Sequence, residues 1–304
     1  MQTDVEPLSF HAPFDWDGLL EFFQPRAVAG VEAVSGGEIR RSLRIGGVTG
    51  TISVSLLPNQ QQLQLSIIGD DSFRAYRPEI AALARRVLDL DCDPSRPKAC
   101  LSADPALAAL LERWPGIRLP GAWDGFEMGV RAILGQQVSV KAAHTLAGRL
   151  VERYGLDHAC PFRDVRRLFP LAAEVAKIHL DDLAAVGLTR KRAETLIHFA
   201  RWWIKEPCER GGLIDLPGIG PWTENYIRMR GGCDANAFPG ADLGIQKALG
   251  IRDLGPTLAA RTAEARSLTW SPWRAYAVML LWRSLSLPKE TLPKETLSKE
   301  NPGQ

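Results

Sequence analysis

The sequence predicts an α+β protein in which an antiparallel sheet comes first and a long all-helical unit follows. Between residues 28 and 68, short alternating runs of Val, Ile, Leu and Thr are broken by Gly36-Gly37 and Gly46-Gly47. Such glycine pairs favour tight turns between antiparallel strands. From Leu101 onward, apolar residues follow helical spacing between Pro and Gly breaks. A chain of 304 residues, 45% of them hydrophobic, is long enough for two or three packed units.

The individual elements follow from the same periodicities. The first part is predicted to contain a helix over 14–23 capped by Asp15 or Asp17, strands over 42–45, 49–57 and 62–68, and a helix over 78–90. The second part is predicted to contain helices over 103–114, 124–135, 139–154, 162–168, 171–176, 181–186, 190–204, 222–230, 243–249, 256–266 and 272–285. Residues 288–304 repeat a Leu-Pro-Lys-Glu-Thr unit that is too polar to pack, which predicts disorder.

Charge and cysteine content narrow the functional class. The net charge is only +2, so any nucleic-acid surface must be local. The five cysteines are scattered without a Cys-x-x-Cys pair, which argues against zinc and for a reducing compartment. The N-terminus carries acidic residues and lacks the apolar core of a signal peptide, and no apolar run approaches the roughly 20 residues of a membrane span. We therefore expect a cytoplasmic protein without a membrane partner.

One segment predicts a phosphate-binding turn. Residues Leu216–Thr223 read Leu-Pro-Gly-Ile-Gly-Pro-Trp-Thr, in which two glycines permit a tight turn and Pro221 suits the first turn of a helix. That helix would begin with unpaired backbone N–H groups and the Thr223 hydroxyl, which suit an anion. A Gly-x-Gly turn alone is also common between ordinary helices, and the spacing by itself favours that ordinary connection over a phosphate site.

The longer string resembles the helix-hairpin-helix of a superfamily of DNA base-excision glycosylases. Further strings resemble the subfamily of bacterial DNA-3-methyladenine glycosylase II, the AlkA type, and they occur in the same order. They are Phe14-Asp15-Trp16, Arg26-Ala27-Val28, Leu119-Pro120-Gly121, Phe126-Glu127, 131–139, 191–197, 222–226, and 273–277 with Trp282. The resemblance covers about residues 10 to 285.

The resemblance implies a fold in three parts. It implies a TATA-binding-protein-like α+β domain over 1–94, followed by a two-lobed helical unit. The middle lobe would cover 118–234, with the hairpin at about 213–230, and the C-terminal lobe would combine 95–117 with 235–287. One departure is the approach to the hairpin, where Pro207 and Gly211-Gly212 predict a shortened first helix.

The resemblance also implies a catalytic residue and a chemistry. Asp242 stands where the family has its catalytic aspartate, although an aspartate before a helix is most often an N-cap and Asp242 can be both. Trp222 occupies the place where the bifunctional relatives have a Schiff-base lysine, which implies a monofunctional hydrolase. No cysteine follows Cys233, so the iron–sulfur cluster of some relatives is not expected. No cofactor is expected for catalysis.

Binding residues are implied in the same way. Phe22, Trp222, Tyr226 and Trp282 would line the base pocket, although aromatic residues of short helices are most often core residues. The residues implied to contact DNA are Gln136, Gln137, Ser139, Gly218, Gly220, Trp222 and Thr223, with Gln137 at the position that fills the gap left by a flipped base. The backbone carbonyls of Ile214, Leu216 and Gly218 would hold a monovalent cation, Na+ or K+.

The implied function is excision of alkylated purines from double-stranded DNA by a monomer, with an abasic-site endonuclease acting next in the pathway. Electron-rich rings favour cationic alkylpurines, which are good leaving groups without a general acid. Two alternatives stay open. One is a non-catalytic DNA-damage binding protein that keeps the hairpin, and the other is a glycosylase/lyase for oxidised bases.

Overall fold

The computed structural model describes residues 2–57, 61–205 and 211–287. Its N-terminal part contains a five-stranded antiparallel sheet in the order β1-β5-β4-β3-β2. The strands are β1 (Gln2–Ser9), β2 (Glu32–Ser35), β3 (Glu38–Ile45), β4 (Val48–Leu57) and β5 (Gln62–Gly69). The three predicted strands are confirmed as parts of β3, β4 and β5. The predicted disordered tail, 288–304, lies outside the described residues.

Glycine pairs close two of the hairpins of this sheet. Gly36 and Gly37 have φ values of +61° and +77°, and Gly46 and Gly47 have values of +56° and +84°. Two consecutive residues with positive φ match the twist of the flanking strands, which is why glycine pairs suit these positions. The sheet register that results pairs Ser35 with Glu38 and Ile45 with Val48.

Three helices complete the N-terminal part. They are α1 (Trp16–Phe23), α2 (Asp71–Arg74) and α3 (Arg77–Val87). Asp15 caps α1 by accepting a hydrogen bond from Gly18 N at 2.9 Å, as one of the two predicted caps. Helices α2 and α3 pack on β5. Ile80 and Val87 of α3 are fully buried in the same core as Leu65 of β5. The sheet is therefore covered on the helical side by apolar contacts.

The rest of the described chain is mainly helical, which confirms the α+β class. Its helices are α4 (Ser95–Leu101), α5 (Pro105–Arg113), α6 (Gly125–Leu134), α7 (Val140–Tyr154), α8 (Ala172–Val175), α9 (Leu180–Val186), α10 (Arg190–Trp203), α11 (Pro221–Gly231), α12 (Leu243–Ala248), α13 (Pro256–Ser267) and α14 (Arg274–Ser284). Every predicted helix in this part except one has an observed counterpart.

The helix predicted over 162–168 is wrong. A short strand β6 (Leu156–Asp157) pairs with β7 (Arg167–Leu168) in that region. Arg166 O accepts a hydrogen bond from His158 N at 2.8 Å, and Arg167 N donates to Gly30 O at 2.8 Å. The segment keeps one turn of its own, in which Val165 N donates to Phe162 O at 3.4 Å, but Arg166 and Arg167 bond to other segments instead of continuing a helix.

Two hydrophobic cores organise the described residues. The first unites the sheet and α1 with α5, α12 and α14, and the second lies among α6, α7, α9 and α10. Helix α5 packs on α14, and Asp104 at the N-terminus of α5 pairs with Arg266 of α13 at 3.1 Å. Residues before α6 thus pack with the C-terminal helices, as the resemblance implies, while the domain boundaries stay a prediction.

A buried ion network joins the sheet to α6. Arg41 of β3 is 3% exposed and donates to Glu32 Oε2 at 3.1 Å and to Glu127 Oε1 at 3.2 Å. Arg131 donates to the same Glu127 oxygen at 3.0 Å. Burial acts to raise the pKa of Glu127, but the two guanidiniums outweigh it and hold that pKa below its usual range. The network fixes the sheet against the middle of the chain.

None of the helices in the described ranges is long and apolar enough to cross a membrane.

Candidate active site

The hairpin turn between α10 and α11 is shaped by one glycine. Gly218 has a φ of +87°, and a Cβ at this position would overlap the hydroxyl of Thr195 on α10. Between α10 and this turn, the described residues form only a single 3-10 turn, Leu213–Asp215. The shortened first helix is thereby confirmed for the part of the approach that the structure describes, which excludes residues 206–210. Gly220 is the N-cap of α11 and Pro221 its first residue.

The loop between α6 and α7 is fixed to the hairpin by Gln136. Its side-chain amide donates to Gly218 O at 2.9 Å and to Thr223 Oγ1 at 3.0 Å. The backbone carbonyl of Gln136 accepts a hydrogen bond from Arg192 Nη2 at 2.6 Å. Thr223 is only 2% exposed, so its hydroxyl serves this internal link. Gln137 follows with a φ of +55°, a strained conformation for a residue with a side chain.

Asp242 is both a helix cap and the centre of a hydrogen-bond cluster. Its Oδ1 accepts from Ile245 N at 3.0 Å, which caps α12, and from Trp282 Nε1 at 2.9 Å. Its Oδ2 accepts from Trp222 Nε1 at 3.0 Å. Three N–H donors from three different elements therefore hold the carboxylate in one orientation.

Aromatic rings surround this carboxylate. Trp222 and Tyr226 are stacked with centroids 5.2 Å apart and planes 13° apart, and Tyr226 lies 6.1 Å from Trp282 at an angle of 50°. Phe22 stacks on Trp282 at 6.4 Å but is only 9% exposed and belongs to the first core. The structure therefore places Phe22 behind the other three rings.

A cavity of about 1040 Å³ is lined by most of the catalytic, base-pocket and DNA-binding residues that the resemblance implies. Its lining includes Gln136, Gln137, Ser139, Gly218, Gly220, Trp222, Thr223, Tyr226, Asp242 and Trp282. Phe22, Ile214 and Leu216 do not belong to the lining. Residues that are far apart in the sequence are thus brought together around one opening.

The structure adds basic side chains that the sequence analysis did not single out. Arg26, Arg131, His144, Lys191 and Arg192 also line the cavity. Arg26, Arg131, Lys191 and Arg192 stand within strings quoted for the resemblance, but nothing in their local pattern indicated that they would face a cavity. Burial and the guanidinium of Arg131 lower the pKa of His144, which favours its neutral form.

The residues described provide no cluster of three or more His, Cys, Asp or Glu side chains that could hold a metal ion. The proposed cation ligands are backbone carbonyls. Gly218 O already accepts from Gln136 Nε2, and Leu216 O accepts from Ile219 N at 3.0 Å. A carbonyl oxygen has two lone pairs, so each retains one for a cation. The monovalent ion stays a prediction.

Comparison with known proteins assigns both parts of the chain to known domain families. Residues 130–274 match the HhH-GPD superfamily of base excision DNA repair proteins, and residues 6–124 match the AlkA N-terminal domain. The fold and the site thus define a helix-hairpin-helix base excision DNA repair protein.

Similarity to curated relatives narrows the assignment. The DNA-3-methyladenine glycosylase 2 of Escherichia coli is 34% identical over 285 residues, which cover 90% of this chain and 95% of the relative. The chain belongs to this family of AlkA-type glycosylases. A Mycobacterium tuberculosis protein named bifunctional transcriptional activator/DNA repair enzyme AlkA is 37% identical over 288 residues, or 92% of this chain. This chain spans only 57% of the length of that relative.

Solved structures support the fold. The 3-methyladenine DNA glycosylase of Archaeoglobus fulgidus aligns with a TM-score of 0.75 at 21% identity, covering 92% of this chain and 98% of that one. The 8-oxoguanine glycosylase/lyase of Clostridium acetobutylicum, in complex with double-stranded DNA, aligns with a TM-score of 0.68 at 15% identity, covering 94% of this chain and 99% of that one. At these identities the similarity concerns the fold alone.

Proposed function

We propose that the protein is a monofunctional DNA glycosylase that excises alkylated purines, of the 3-methyladenine and 7-methylguanine type, from double-stranded DNA. It hydrolyses the N-glycosidic bond and leaves an abasic site. The observation that carries the proposal is the Asp242 carboxylate, held by three N–H donors at the wall of a cavity lined by Trp222, Tyr226 and Trp282.

Asp242 acts on the sugar. When the bond between C1′ and the base nitrogen breaks, its electron pair stays with the base and positive charge develops on the sugar. A carboxylate that is already fixed beneath this charge stabilises it without rearranging during the reaction. Water then adds to C1′ and loses a proton. The Asp242 oxygens carry three hydrogen bonds, so the carboxylate serves mainly as a fixed negative charge and as an orienting acceptor for this water.

The side chain of residue 222 decides between hydrolysis and lyase action. A lyase needs an amine that attacks C1′ and forms a Schiff base. The indole of Trp222 cannot do so, and its N–H is bonded to Asp242. The only lysine that lines the cavity is Lys191 on α10, among the residues that the structure describes. This arrangement favours a monofunctional enzyme over the glycosylase/lyase alternative.

The aromatic rings select the base. Alkylation at N3 or N7 makes a purine cationic, and an electron-rich face attracts a cation. The stacked Trp222 and Tyr226 offer such a face next to Asp242. Phe22 contributes from behind by fixing Trp282. An alkylpurine is already a good leaving group, so a dedicated general acid is unnecessary.

Binding to DNA combines the hairpin and the loop after α6. Backbone amides around Gly218, Gly220 and Trp222 would bind phosphate, because the first N–H groups of α11 lack intrahelical partners. A Na+ or K+ held by the carbonyls of Ile214, Leu216 and Gly218 would add positive charge for the same phosphate. Gln136 holds the two segments together, and Gln137 at the loop tip would fill the gap left by the flipped nucleotide. Ser139 caps α7 beside this loop.

An excision assay tests the proposal. Methylated duplex DNA is incubated with the protein, abasic sites are cleaved with alkali, and released bases are identified by chromatography. We expect strand breaks with release of 3-methyladenine or 7-methylguanine. DNA binding without any strand break would instead support the non-catalytic damage-binding alternative.

A further inference from the structure

A half-buried positive charge lies at the base pocket. Arg26 follows α1 and lines the same cavity as Asp242. Its guanidinium carbon lies 4.0 Å from the centroid of the Phe22 ring, and Nη1 donates to Phe22 O at 3.0 Å. Arg131 Nη2 donates to Arg26 O at 2.7 Å, which fixes the backbone from the other side. The N-terminal part of the chain therefore delivers one rigidly held cation to the cavity.

Arg230 adds a second cation behind the first. It is 3% exposed, lies 4.5 Å from the Phe22 ring and donates to the carbonyls of Pro120 and Gly121. Neither Arg26 nor Arg230 forms an ion pair with a carboxylate in the part of the chain that the structure describes. Burial lowers the pKa of Arg26 and lowers that of Arg230 to about 10. A guanidinium in a protein stays charged at neutral pH.

The positive charges of Arg26 and Arg230 act on Tyr226, one of the aromatic residues that line the cavity. Burial acts to raise the pKa of the Tyr226 phenol, but Arg230, Arg26 and Arg131 outweigh it and lower that pKa. The negative charge of Asp242 acts in the opposite direction to burial and raises the pKa of Arg26. The cavity is thus positive on the side of Arg26 and Tyr226 and negative at Asp242.

This polarity matches the electron flow of base excision. As the bond from C1′ breaks, the base gains one unit of negative charge and the sugar gains one unit of positive charge. A cationic alkylpurine leaves as a neutral molecule, whereas a neutral purine leaves as an anion that takes a proton from solvent. Water adds to the sugar and releases a proton in both cases. A guanidinium on the base side favours both departures, but it opposes the binding of a base that arrives positively charged.

We propose that Arg26 is a specificity-determining residue that stabilises the electron pair retained by the departing base, with the larger effect on the excision of neutral purines. The proposal rests on the proposed glycosylase function and assigns one residue of that site a part in discriminating neutral from cationic bases. For a cationic base, the guanidinium stabilises the departing base but weakens binding of the base before cleavage, and the two effects largely cancel. For a neutral base, the guanidinium does not weaken binding, so its stabilisation of the departing base is not offset.

The test compares two lesions in one duplex sequence, 7-methylguanine as the cationic base and hypoxanthine as the neutral base. Single-turnover rates are measured over a range of protein concentrations for wild type, Arg26→Met and Arg26→Lys. Methionine keeps apolar packing on Phe22 without the charge, and lysine restores the charge. Arg77→Met is the matched control, because Arg77 is a half-exposed arginine of the same N-terminal part that pairs with Glu6. Thermal unfolding confirms that each variant is folded.

We expect Arg26→Met to lower the maximal rate on hypoxanthine by about 10- to 100-fold, the size of a charge interaction across a few ångströms at an effective dielectric near 20. On 7-methylguanine, the maximal rate and the half-saturating concentration should fall together, so that their ratio changes less than about 3-fold. Arg26→Lys should recover most of the hypoxanthine rate, and Arg77→Met should match wild type. An equal loss on both lesions in the ratio of maximal rate to half-saturating concentration, or wild-type release of 7-methylguanine without hypoxanthine, would overturn the role of Arg26. Release of neither base by wild type would refute the glycosylase function itself.

Discussion

The substitution Asp242→Asn tests the centre of the proposed mechanism, because it removes the charge and keeps the size of the side chain. Asparagine is as good an N-cap as aspartate, so Ile245 N keeps an acceptor and α12 should stay folded. A unit negative charge about 4 Å from the developing charge on the sugar is worth about 4 kcal/mol at an effective dielectric near 20. We therefore expect single-turnover excision to fall by roughly 1000-fold.

Part of the loss of excision in Asp242→Asn should come from the broken hydrogen bond between Trp222 and residue 242. An asparagine that still caps α12 through its oxygen turns its NH2 group towards the indole N–H that Oδ2 accepts in the wild type. Two donors then face each other, and the indole loses its fixed orientation. Trp222→Phe removes the indole donor alone, so a double-mutant cycle between positions 222 and 242 separates the effect of charge from that of orientation.

The assay is release of 7-methylguanine from duplex DNA with protein in excess, together with binding to duplex DNA that carries an abasic-site analogue. Binding should change little in Asp242→Asn. The matched control is Asp70→Asn, because Asp70 caps α2 through Phe73 N at 3.0 Å outside the cavity. Activity of Asp242→Asn within about 3-fold of wild type would refute the assignment of Asp242.

Three further predictions follow from individual contacts. Trp282→Phe keeps a ring but loses the donor to Asp242 Oδ1, so excision should fall by roughly 10-fold with abasic-site binding unchanged, and a wild-type rate would contradict the contact. Glu127→Gln leaves Arg41 without its full charge partner and should cost about 3 kcal/mol in urea unfolding at pH 7. Because the folded pKa of Glu127 is lowered, the wild-type advantage should be complete above about pH 5 and lost as the pH falls through the folded pKa, whereas a difference independent of pH would contradict the pairing. Borohydride should trap no covalent complex with damaged DNA, since Trp222 replaces the nucleophilic lysine, and a trapped complex would restore the lyase alternative.

The fold could be predicted from the sequence wherever periodicity and turn residues agreed. Strands β3 to β5 alternate between glycine pairs, and the helices after Leu101 carry apolar stripes with caps such as Asp104 and Ser139. Strand β1 was not predicted, because Gln2–Ser9 is an edge strand whose side chains are mostly exposed and whose partner β5 follows much later. The helix over 162–168 was wrong because the backbone partner of Arg167, Gly30, is distant in sequence.

The candidate site was predictable only where its residues form continuous strings. The hairpin and Asp242 belong to such strings, and the resemblance to one family of glycosylases supplied the distant aromatic residues. Arg26 belongs to another string, but its place in the cavity depends on the packing of α1 against Trp282 and on a hydrogen bond from Arg131. No pattern within one segment encodes contacts of this kind. Electrostatic roles that arise between domains therefore require the structure.

In the proposed mechanism, selection of the base and placement of the carboxylate depend on the same two indoles. The faces of Trp222 and Trp282 belong to the aromatic cavity, while their N–H edges hold the two oxygens of Asp242. Gly244 makes room for this arrangement, because a Cβ there would lie 3.1 Å from Trp282 Cδ1 and 3.0 Å from Asp242 Oδ1. A base that displaces either ring also disturbs the carboxylate, so poorly stacked bases are disfavoured in the bond-breaking step as well as in binding.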